Sequence, residues 1–143
     1  MRDPDRSHYS PGTILQISKQ TIRLARLEVN LDETARCLSS GDPENLIDLN
    51  SEFHTTILQA SRNLRLQRIN DEISALLRCY WMLVLRISPE RIHMVADHRE
   101  IFCKLQDVNG PGASLAMRQH IVKDLGIVRD RIDRVIETNW YLS

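Results

Sequence analysis

His54, His98 and His120 are the residues of this chain whose type and placement could do chemistry together. Each falls in a separate stretch whose apolar spacing predicts a helix, on the side of that helix that carries apolar residues. Asn50 precedes His54 by four residues, and residues four apart share a helix face. Asn50-x-x-x-His54 is therefore a two-donor arm, and His98 and His120 each add one donor from another helix. Three imidazoles and an amide oxygen suit a divalent first-row metal, zinc or nickel foremost. Taken singly, each histidine reads as a satisfied core or surface residue. The joint arrangement is what points to a metal-centred pocket inside a helical bundle. His8 lies in a polar leader, and His93 is turned away from the face of His98, so neither joins the set.

Asn50 decides what such a centre could do. A carboxylate would partly neutralise a divalent ion, whereas an amide leaves nearly all of the charge in the pocket, which then favours an anionic ligand. Four protein donors also leave positions open in a five- or six-coordinate shell, and an open shell serves catalysis or ligand sensing. Catalysis asks for a general base near the metal. Glu52, Asp97 and Glu100 are neighbours in sequence but point off the histidine faces. Sensing of an anion is the stronger reading, and a small helical metalloenzyme of hydrolase type, using the same histidines to activate water, is the rival. A helical interaction module with an empty core pocket is the third.

Arg78 and Arg86 lie within the most apolar predicted helix. The plain reading is that both snorkel to the surface. The sharper one is that one of them, Arg78 being the better placed, reaches the cavity and holds a carboxylate in a forked hydrogen bond. Trp81, Trp140 and the tyrosines read as packing residues, because no basic stripe interleaves them. Cys37, Cys79 and Cys103 are widely spaced and odd in number, which argues against a disulfide framework or a zinc knuckle and for buried, reduced thiols.

The elements that must position these residues are helices. The chain of 143 residues is long enough for one domain with a true core. Nineteen basic residues balance nineteen acidic ones, so no broad positive field would hold nucleic acid directly. The longest apolar run, Tyr80 to Leu85, is too short to span a bilayer. The charged N-terminus lacks the apolar core of a secretory signal, which makes the cytoplasm the expected location.

Residues 1–12, with Pro4 and Pro11, read as a flexible leader or linker remnant, and residues 13–143 as the helical domain. The first helix starts near Thr13, with Ile14, Ile17, Leu24, Leu31, Ala35 and Leu38 inward, and stops at Ser39-Ser40-Gly41. Asp42-Pro43 is a cap followed by a first-turn proline, opening a second helix to about Ala60. Asn63 caps a third helix through Arg86 or Ile87, whose buried stripe is expected to be Ile69, Ile73, Leu76, Tyr80 and Leu83. Ser88-Pro89-Glu90 opens a fourth helix ending near Asp107. Asn109-Gly110-Pro111-Gly112 reads as the strongest turn. The last helix spans Ala113 to Thr138, with Ala116, Met117, His120, Ile121, Ile127 and Val128 inward. Short connections imply antiparallel neighbours. The expected fold is all-α, an antiparallel bundle of about five to six helices.

Four ordered stretches carry a resemblance. They are Leu49-Asn50-Ser51-Glu52-Phe53-His54, Ala60-Ser61-Arg62-Asn63-Leu64, Asp97-His98-Arg99-Glu100-Ile101 and Met117-Arg118-Gln119-His120-Ile121. They are similar to the D-x-x-F-H, A-S-x-N, E-H-x-x-I and M-x-x-H-[IL] motifs of the FCD effector-binding domain, in the FadR-like branch of GntR-family bacterial transcription regulators. The resemblance covers roughly residues 17 to 135. It implies a bundle of six or seven helices that binds a divalent metal and a small carboxylate effector. It also implies a homodimer that reaches DNA only through a winged-helix domain, for which these residues hold no counterpart. By position the metal ligands would be Asn50, His54, His98 and His120, with Arg78 near the effector. Asn50 stands where the family commonly has Asp. The family's helix before residue 13 has no counterpart here, so one wall of the cavity would be open or supplied by a partner.

Overall fold

Capping residues set the helix boundaries. Asp42 accepts a hydrogen bond from the Asn45 backbone N–H at 3.1 Å, ahead of Pro43 at the first position of its helix. Gly41 closes the preceding helix with a φ of +74°, its N–H donating to Cys37 O at 3.1 Å, as a left-handed C-terminal cap requires. Asn63 caps the third helix by accepting from Leu66 N at 3.0 Å. A computed structural model, which describes residues 11–87 and 92–140, shows five helices in order. They are α1 (Pro11–Ser40), α2 (Pro43–Ser61), α3 (Leu64–Ile87), α4 (Ile92–Gln106) and α5 (Gly110–Trp140). Among the described residues there is no strand, and no helix is long and apolar enough to cross a membrane.

Three boundaries differ from expectation or fall outside these segments. Residues 1–10 of the expected leader and the Ser88-Pro89-Glu90 cap lie outside the described residues, while Pro11 and Gly12 already belong to α1. The side chains of Ile14, Ile17, Leu83, Arg86 and Trp140 also lie outside the described ones. The Asn109–Gly112 stretch is not a free turn but the start of α5. Asn109 Oδ1 accepts from Gly112 N at 2.9 Å, and Pro111 sits in the first turn, where a missing N–H costs no helical bond. A Cβ at position 112 would lie 2.5 Å from the Asn109 side chain, so a larger residue there would require the capping amide to shift.

Helix α1 packs on α2 and α4, α4 on α5, and α2 on α3, with a lighter contact between α3 and α5. Among the described residues the backbones of α3 and α4 do not pack side by side, so the expected run of antiparallel neighbours breaks there. The main core joins Leu27 and Leu31 of α1, Phe53 of α2, Ile101 and Phe102 of α4 and Ala116 of α5. A second cluster gathers Cys37, Leu46, Ile47, Leu49 and Met94, with Trp81 and Met82 of α3 packed against it. Asn30, buried on α1, donates to Leu49 O at 2.9 Å and ties α1 to α2 beside the second cluster.

The α3 stripe is reversed from the expectation. Ile69, Ile73, Leu76 and Tyr80 are exposed, Leu76 at 58%. Periodicity reports that a helix has an apolar side and not what covers it. Ile121 on α5 is likewise exposed. Of the three cysteines, all free thiols, Cys37 is buried and Cys79 and Cys103 are exposed. Burial, then Asp42, pushes the Cys37 thiol up from its ordinary range.

Phe53 has no exposed surface and joins the core contributed by four helices. Phe53→Ala is expected to cost about 3–5 kcal/mol in denaturant unfolding. A loss under about 1 kcal/mol would show that the core does not close around this ring.

Candidate metal centre

Each of the three histidines is carried into the bundle by a different helix, His54 by α2, His98 by α4 and His120 by α5. His98 and His120 are fully buried and His54 is half-buried. Their rings turn the same nitrogen toward one point. His98 Nε2 lies 3.2 Å from His120 Nε2, which lies 3.3 Å from His54 Nε2. All three rings offer a ligand atom within 4.8 Å of the others. Phe53 fixes the set from one side, its ring stacked on His98 with centroids 3.9 Å apart and planes 4° from parallel.

This meeting of nitrogens is hard to satisfy with protons alone. A neutral imidazole nitrogen offers either one N–H or one lone pair, and His120 Nε2 faces two neighbours at once. A cation held by all three lone pairs removes that conflict. The spacing fits as well. Metal–nitrogen bonds of about 2.0–2.1 Å at tetrahedral angles place nitrogens about 3.3 Å apart.

Asn50 lies one turn before His54 and is buried, and its Oδ1 has no hydrogen-bond partner among the described residues. Buried polar atoms are nearly always paired, so an orphaned oxygen on the face of α2 that carries His54 is a donor suited to a cation. These residues fit a divalent metal by donor type, by separation and by that orphaned oxygen.

Burial, reinforced by the neighbouring His120, lowers the His54 pKa from 6.5 to about 4. At neutral pH this ring is uncharged and its lone pair is available, as metal binding requires.

Two carboxylates that the sequence reading leaves out lie against His120. Asp97 Oδ2 stands 3.5 Å from His120 Nδ1, and Lys123 Nζ grips both Asp97 oxygens at 2.8 and 2.9 Å. A carboxylate hydrogen-bonded to the outer nitrogen of a histidine is the usual device for orienting a metal ligand; here Asp97 stands in that direction without a hydrogen bond to Nδ1 among the described residues. Asp97 does point away from the His98 face; α4 taken alone gives no sign that α5 receives it. Asp124 Oδ2 lies 3.7 Å from His120 Nε2, on the inner side of the ring. The spacing that singles out Asn50 before His54 recurs between His120 and Asp124 and is the signal that could have found it.

The structure does not bring Arg78 to the histidines. Its guanidinium pairs with Asp48, both side chains being about half exposed, and that hydrogen bond raises the Arg78 pKa. Asp48 lies on the outward side of α2, two residues before Asn50. His93 is exposed on α4, as expected of a residue outside the set. Two surface clefts of roughly 350 and 400 Å³ border α1, the larger lined in part by Arg23, Thr56 and Arg62, and no histidine lines either of them.

A scan of protein-family models finds the FCD domain over residues 16–123. The chain belongs to the FCD family. FCD domains are the ligand-binding regions of GntR-type regulators, and the three-histidine junction falls wholly within the matched FCD segment. No curated protein and no solved structure matches the chain.

In the metal-free protein His54 binds a proton more readily unfolded than folded. Stability is therefore expected to rise by about 3 kcal/mol as pH climbs from about 4 to 6.5, and to fall on the way back. His54→Gln should flatten that slope in urea titrations at stepped pH. An unchanged slope would place the burial cost elsewhere.

Proposed function

We propose that this FCD domain senses a small organic acid through a divalent metal, zinc or nickel, and acts as the dimerising effector domain of a cytoplasmic GntR-type transcription regulator of the FadR-like branch. The observation that carries the reading is the convergence of three Nε2 atoms, 3.2 and 3.3 Å apart, from three helices. His54, His98 and His120 would hold the metal with Asn50 as an oxygen donor. The ion supplies an electrophilic point to which a carboxylate is attracted. The chain's own residues surround that point: Phe53 stacks on the plane of His98, and Asp97, held by Lys123, lies 3.5 Å from the outer nitrogen of His120.

The exposed α3 stripe supports dimerisation. Ile69, Ile73, Leu76 and Tyr80 line one side of a helix that packs on few neighbours, and Ile121, Val122 and Leu125 are exposed on α5, which α3 touches. An apolar face of this kind on a bundle marks an interaction surface. Contact with DNA belongs, in this reading, to a winged-helix domain outside these residues.

Wild-type protein prepared without chelator is expected to hold about one zinc or nickel per chain by elemental analysis. His54→Ala, His98→Ala and His120→Ala should each lose it, and His93→Ala should keep it. Equal retention by all four would make the histidines structural.

Titration calorimetry of the loaded protein with small di- and tricarboxylates should show binding that disappears on metal removal. Asn50→Asp should weaken that binding while tightening the metal, because it adds a competing negative charge. Unchanged or tighter carboxylate binding would move the anion-holding role to Arg78. Arg78→Ala should then abolish effector binding with the metal still in place. A screen of esters and amides is expected to show no metal-dependent turnover, and turnover lost with His120→Ala would support the hydrolase reading instead.

Ile73→Glu with Leu76→Glu is expected to convert a dimer to a monomer in sedimentation. A monomeric wild-type chain would contradict the assignment of that face.

A further inference from the structure

The charge that position 50 lacks is present at the centre, on another helix. We infer that Asp124 is a metal ligand of this domain and supplies the anionic oxygen that Asn50 does not. The inference rests on the metal centre proposed above and extends it to a residue that lies outside all four family-like stretches of the sequence.

Asp124 follows His120 by four residues on α5, so the two side chains leave the same face of that helix one turn apart. Its Oδ2 lies 3.7 Å from His120 Nε2, the nitrogen on which His54 and His98 converge at 3.3 and 3.2 Å. One atom of His120 is thus the meeting point of two imidazoles and one carboxylate. The Asp124 side chain is only 17% exposed.

The two carboxylates around His120 divide by the side of the ring they face. Asp97 lies at Nδ1, the outer nitrogen, and is neutralised by Lys123. Asp124 lies on the Nε2 side, where a metal would sit. Neutral imidazoles and an amide leave a divalent ion uncompensated, and one carboxylate within ligand reach halves the charge. Transfer of the carboxylate from position 50 to position 124 keeps the donor set of three imidazoles and one carboxylate, with Asn50 as an added neutral oxygen. The remaining single positive charge still attracts an acid.

Competitive titration of the full chain against a chromophoric chelator, with zinc as the only added metal, tests this. Asp124→Asn is expected to bind zinc on the order of 100-fold more weakly than wild type, with helical circular dichroism unchanged. The double variant Asp124→Asn, Asn50→Asp, which returns the carboxylate to α2, should recover to within about tenfold of wild type. Cobalt(II) in place of zinc should show a changed visible absorption band in Asp124→Asn. Wild type that binds no zinc would overturn the metal centre itself. Wild type that binds zinc while Asp124→Asn binds it equally would overturn the role of Asp124 alone. A double variant as weak as the single one, or an unchanged cobalt band, would also overturn it.

Discussion

Three imidazoles gathered in the interior of a bundle, with two of their nitrogens within hydrogen-bond distance of the third, impose a constraint on everything around them. Uncharged rings cannot all satisfy one another there, and protonated rings would repel. The lowered His54 pKa expresses both facts, through burial first and through His120 second. A divalent ion would resolve the conflict in one step, and without one the packing that holds the rings in place must resist the drift that repulsion would cause.

That resistance comes from ordinary core residues. Phe53 has no exposed surface and lies flat against His98, so the ring that anchors the main cluster also packs against the plane of that imidazole. Its neighbour His54 projects from the next position on the same helix, which couples core packing directly to site geometry. On its outer side His120 has Asp97 3.5 Å from Nδ1, held there by Lys123 one turn further along α5. Helices α2, α4 and α5 thus share one junction, with α1 packed across α2 and α4 to close it. Helix α3 contributes no histidine to this junction, and its apolar face is exposed among the described residues.

Helix boundaries are legible in the sequence because they rest on local chemistry. Asp42-Pro43, Gly41 and Asn63 act within a few residues of themselves, and each does in the structure what its type predicts. The histidine set is legible because four-residue spacing and apolar neighbours place a side chain on an inward face. Contacts between helices are not, because the sequence leaves their mutual rotation open. Asp97 looks irrelevant along α4 because its partner is on α5, and the α3 stripe looks buried because periodicity is silent about neighbours. Arg78 sits half exposed beside Asp48, the plain reading of an arginine in an apolar helix; which way it turns depends on a partner in α2 that the α3 sequence does not show. Asp124 is within reach of the same spacing rule that finds Asn50, once the rule is run forward from His120.

The central claim is that these three imidazoles bind one metal ion through their Nε2 atoms. X-ray absorption at the zinc edge of the loaded chain tests it most directly. The account predicts an inner shell at about 2.0–2.1 Å with the outer-shell scattering of three imidazole rings and the remaining positions filled by oxygen. A shell made of oxygen alone, or one containing sulfur from Cys37, Cys79 or Cys103, would contradict it.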